Sequence, residues 1–77
     1  SGTVVSDAGN SSTQFDTDFS GRVTDCFKGC LVVFVTGTLK DQVQKISAFN
    51  GSTNIITVAS AFTGTPSVGD KFVIVGF

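Results

Sequence analysis

Cys30-Leu31-Val32-Val33-Phe34-Val35-Thr36 is apolar at odd and even positions alike. Its β-branched and aromatic residues suit a strand, and apolar side chains on both alternating faces predict a strand covered on both sides at the centre of the fold. The rest of the chain carries the same punctuation: Gly, Ser, Asn and Asp interrupt short apolar runs about every ten residues, and no segment sustains a helical apolar period. The fold class that follows is all-β, a small antiparallel sandwich or partly closed barrel of about six strands.

Upstream, Thr3 to Ser6 reads as a first strand ended by the turn Asp7-Ala8-Gly9-Asn10, and Thr13 to Phe15 as a second. Asp25-Cys26-Phe27-Lys28 before Gly29 allows at most one helical turn stopped by glycine. Downstream, Asp41 to Phe49 alternates imperfectly, as a half-exposed strand bent by a bulge would. Asn50-Gly51 is the strongest turn signal, because both residues tolerate the positive φ of hairpin turns, and it should lead into a strand from Asn54 to Ala59. Ser60 to Asp70 is a loop holding the single proline, Pro66, with Ala61 and Phe62 positioned to tuck into the core. Lys71 to Val75 closes the fold, with Phe72 and Ile74 on one face and Val73 and Val75 on the other.

Seventy-seven residues make one domain, 1-77, and a domain of that size buries only about 60% of the surface its unfolded chain exposes. Only 14% of the residues are charged, against about 25% in typical soluble domains, so part of the surface is expected to face another protein. The last strand is the expected contact. Phe72, Val73, Val75 and Phe77 would pair with or pack against a symmetry mate, because an apolar edge strand invites pairing; the alternative makes Lys71 to Val75 a central strand of the domain's own barrel. Five cations and a net charge of -1 give no basic footprint for a phosphate backbone, so nucleic acid is not an expected partner. No stretch approaches the roughly 20 apolar residues of a bilayer span, and no membrane partner is expected either. The opening Ser1-Gly2, without Met, suggests a processed product, an excised domain or a fragment of a larger protein.

His, Glu, Tyr and Trp are absent, which removes the commonest general base and most alternatives, so no catalytic residue and no enzymatic activity are expected. Cys26 and Cys30 fall short of the four ligands of a structural zinc site. Their spacing fits either a short-loop disulfide or a pair of buried small hydrophobes. Asp16 and Asp18, with Asp7, Asn10 and Asp25, offer oxygen ligands, but the run lacks the bidentate Glu of a calcium loop and reads as turn-solvating carboxylates. Gly64 to Lys71 fails as a phosphate loop, since Asp70 stands where the lysine belongs and a strand follows instead of a helix. Neither a metal nor a cofactor is expected. The eight phenylalanines are assigned to the core, Phe77 excepted.

The chain also resembles, almost end to end, a β-module of tailed-bacteriophage virion proteins. The resemblance begins with the Gly-Thr-Val opening and acidic turn within Gly2 to Gly9, and continues through Phe15-Asp16-Thr17-Asp18-Phe19 and Phe27-Lys28-Gly29. It extends through Gly37, Leu39 and Gln42 in a Gly-x-Leu-x-x-Gln turn, Ile46, and the aromatic-Asn-Gly hairpin at Phe49-Asn50-Gly51. It ends in Ala61-Phe62-Thr63, Pro66, Gly69-Asp70, Phe72 and Ile74. Asp41, Cys26 and Cys30 depart from the pattern. The resemblance implies a non-enzymatic structural protein of the virion, as a head decoration or cement protein or a tail or fibre component. It would self-associate and contact other virion proteins. The rival expectation is a receptor- or carbohydrate-binding module of a phage or bacterial surface protein, with a host receptor or glycan held by the loops Asp7 to Thr13 and Asn50 to Asn54.

Overall fold

A computed structural model of the chain describes residues 1–76. Six strands form in the order β1 (Gly2–Thr3), β2 (Gln14–Asp16), β3 (Leu31–Phe34), β4 (Val43–Asn50), β5 (Ile55–Val58) and β6 (Lys71–Val75). They make one antiparallel sheet, ordered β1-β6-β3-β4-β5-β2. Just beyond its two edge strands, β1 and β2, Val4 and Thr17 form an isolated antiparallel bridge, so the sheet curls toward closure as a small half-barrel. The architecture is all-β, and the expected central strand is β3, between β6 and β4.

The core is the inside of this curl. Phe15, Phe34 and Phe72 sit there with ring centroids 5.3 to 5.9 Å apart, at tilted and edge-on angles that suit aromatic quadrupoles. Phe62 enters from the loop after β5 and packs 5.1 Å from Phe34. Its backbone amide bonds Ser12 and that of Thr63 bonds the Gln42 side chain, so the loop is clipped over the core from both sides. Ala61 remains exposed, against expectation. At the other end, Phe19 and Phe27 stack at 5.0 Å against Phe49, and the Arg22 guanidinium covers both rings.

The stretch before Gly29 stays within the expected limit of at most one helical turn, and two other local expectations are corrected. Residues 24–29 form successive turns and no helix, because Asp25 adopts φ 61 and breaks the right-handed path before a helical turn can close. The Asn50-Gly51 signal does join β4 to β5, but through a wider turn in which the Asn54 amide bonds the Asn50 carbonyl at 2.7 Å and Asn54 takes the positive φ. Gly51 is needed for proximity instead: a Cβ there would strike the Arg22 carbonyl oxygen and stand 2.8 Å from the Thr24 amide nitrogen. The bulge expected in β4 is present, between Ile46 and Ala48.

The second correction concerns cover. Val32 and Phe34 are fully buried, but the opposite face of β3 is not: Leu31 and Val33 are half-buried and Val35 is exposed. The half-barrel is a single wall, and among the described residues no second layer of strands or helices lies over it. Nor is β6 an edge strand, since it lies between β1 and β3. The two-residue β1 pairs only with Lys71 and Phe72, so the outer edge of Val73 to Val75 has no strand partner among the described residues.

Candidate functional site

The uncovered face is where the described residues concentrate unsatisfied apolar surface. On the β-pleat, residues two apart share a face, and the ladder registers set them in rows. One row runs Val73, Val33, Val43 across β6, β3 and β4. The next runs Val75, Leu31, Lys45. Val35 extends the patch along β3, where its amide bonds the Lys71 carbonyl. Leu31, Val33 and Val73 are half-buried, while Val35, Val43 and Val75 are 40%, 45% and 46% exposed. Six aliphatic side chains therefore stand contiguously on one outer face. Lys71 and Lys45 stand at diagonal corners, and Asp41 lies before Val43 at the turn end of β4.

The structure divides the residues expected at a contact. Val73 and Val75 belong to this patch. Phe72 is turned inward and fully buried against Phe15 and Phe34, so it presents nothing to a neighbour. Phe77 lies outside the described residues. Leu31, Val33, Val35 and Val43 join the patch from strands not expected to form a contact. The signal for three of them is the double-faced apolar run itself, whose second face the sequence alone leads one to expect covered internally.

A second feature is an open polar cleft of about 670 Å³ on β2, β4 and β5 beneath the 51–54 turn. Gln14, Thr24, Asp25, Asn50, Ser52, Thr53 and Thr57 line it with Ala48, Phe49 and Ile55. Much of its polar capacity serves the chain's own backbone. The Thr24 hydroxyl accepts from the Gly51 amide and Asp25 from the Phe49 amide, while Asn50 accepts from the amides of Ser52 and Thr53. Of the two loops expected to carry recognition, only the one from Asn50 reaches this cleft.

The aspartates do not gather as a set. Asp16 lies beside Asp7, and Asn10 accepts the Asp16 backbone amide at 2.9 Å. Asp18 instead accepts the Thr3 amide, and Asp25 is committed to Phe49. Burial holds the Asp16 carboxyl above its ordinary value of 3.8. The Thr17 amide opposes that rise and the Asp7 carboxylate adds to it. Among the described residues no three acidic or thiol groups come together as metal ligands. Cys26 and Cys30 are both free; Cys26 is exposed, contrary to the buried reading, and Cys30 packs partly against the core. No family model, curated protein or solved structure matches the chain.

Proposed function

We propose that this chain is a non-enzymatic structural module of a bacteriophage virion, a head decoration or cement protein or a tail or fibre component, held to neighbouring subunits through the outer face of β6, β3 and β4. The observation that carries the reading is the contiguous aliphatic face of Leu31, Val33, Val35, Val43, Val73 and Val75. Isolated exposed aliphatics are common on soluble proteins, and the largest contiguous apolar patch, ordinarily a few hundred Å² as here, is often the functional surface. The resemblance to virion β-modules supplies the setting, and the low charge of the chain agrees with it. Co-sedimentation with virion particles lacking this protein tests the reading. The parent chain should pellet with the particles, and Val43→Lys with Val75→Lys should remain in the supernatant while keeping its circular dichroism. Equal pelleting of parent and variant would remove this face from the contact.

The polar cleft favours a second reading, recognition of a host receptor or glycan by Asn50, Ser52 and Thr53. A glycan array with Ser52→Ala and Thr53→Ala as controls separates it from assembly. Binding lost in those variants would support it, and a blank array would leave it without support.

A further inference from the structure

We infer that the partner of the β6, β3 and β4 face is a second copy of this chain, packed sheet to sheet about a two-fold axis with the strands of the two copies aligned. The inference rests on the assembly reading above and names its occupant. Charge is placed unevenly around the patch. Lys71 stands beside Val35 at one corner, Lys45 beside Leu31 at the diagonal corner, and Asp41 before Val43 at a third. Sheets packed in alignment keep their strand directions within about 30° of one another. A two-fold axis lying in such an interface runs along the strands or across them. With the axis along the strands, β6 of one copy lies over β4 of the other, and Lys71 comes over Asp41. With the axis across them, strand ends exchange, and Lys45 comes over Asp41. Neither arrangement sets lysine against lysine. Orthogonal packing about either diagonal would oppose lysines, so the charges favour alignment.

The area defines the strength. Three strands about 4.8 Å apart carrying three same-face residues about 6.8 Å apart cover on the order of 300 Å². A standard stable interface takes about 800 Å² from each partner. The pair is therefore weak in isolation and is populated at high local concentration, as when many copies are held on one particle.

Sedimentation equilibrium of the full chain at concentrations up to about 1 mM tests this, because a pair this small populates its dimer only by mass action. The parent should show concentration-dependent dimer, and Val43→Lys should weaken it at least tenfold. Asp41→Asn, which keeps a residue tolerant of the φ 72 found there, should weaken the dimer several-fold. In a Lys45→Asp, Lys71→Asp background the same Asp41→Asn change should strengthen it instead, since it then removes a repulsion. A monomeric parent throughout, or an Asp41→Asn effect of unchanged sign, would overturn the pairing. If the parent is monomeric while Val43→Lys with Val75→Lys still abolishes particle binding, self-pairing fails and the assembly reading stands. If those changes leave particle binding intact, the assembly reading fails separately.

Discussion

Val33 stands directly opposite Val73 in the ladder between β3 and β6, with both side chains on the outer, uncovered face of the half-barrel. One residue along, Phe34 stands opposite Phe72 and both point into the core. The same two strands thus bury one aromatic pair and display one aliphatic pair. The first pair governs stability and the second, in the proposed account, governs association.

The inner pair predicts a large stability effect. Phe34 is fully buried among Phe15, Phe62 and Phe72, and Phe34→Ala should cost about 3–5 kcal/mol through lost burial and a residual cavity. That is most of what a small domain has, so the variant should lack a cooperative thermal transition by circular dichroism. A melting temperature within a few degrees of the parent would place β3 wrongly.

Gly51→Ala should destabilise by about 1–3 kcal/mol, because the added methyl meets the Arg22 carbonyl and the Thr24 amide, backbone groups that cannot rotate away. Urea denaturation measures the change. Asn50→Ala tests the same turn independently: losing the acceptor of the Ser52 and Thr53 amides should cost about 1 kcal/mol.

How far the fold could be read from residues alone depended on whether the deciding force was local. Turn chemistry located the 7–10 turn, where Asp7 accepts the Gly9 amide, and the connection between β4 and β5. The alternation of β6 assigned Phe72 and Val73 to opposite faces correctly. Whether a second apolar face is covered is a question of layers, and Leu31, Val33 and Val35 carry no mark that distinguishes an internal partner from an external one. The place of β6 beside β3 arises from pairing across nearly forty residues of intervening chain, which no local pattern encodes. The outer patch was legible as composition and became a site only once the register set β4 and β6 on either side of β3.

Asp16 predicts a pH effect of defined sign. Its carboxyl holds a proton to higher pH in the folded chain than in the unfolded one, mainly through burial. Its contribution to stability is therefore greatest below the ordinary carboxylate value, falls as pH rises from there through the folded pKa, and is level above it. Asp16→Asn removes that fall while keeping an acceptor for the Thr17 amide at 2.8 Å. The variant should gain on the parent as pH rises from acid toward neutrality, read as the difference between their urea-derived stabilities. A difference that moves the other way would show Asp16 to be stabilised in its ionised form.

The thiols predict a difference in reactivity. Cys26 is exposed and Cys30 packs partly against the core, so a water-soluble maleimide should label Cys26 first in the native chain and both residues after unfolding. Peptide mass spectrometry reads the order. Native protein that labels at neither site, and at both after reduction, would show the pair to be disulfide-bonded.

The most direct test of the account replaces single residues with a photo-crosslinking amino acid in the assembled particle, at position 43 on the aliphatic face and, separately, at position 53 in the polar cleft. The account predicts efficient crosslinks from position 43 to another subunit and few from position 53. Crosslinks from position 53 with none from position 43 would contradict it and move the functional surface to the cleft.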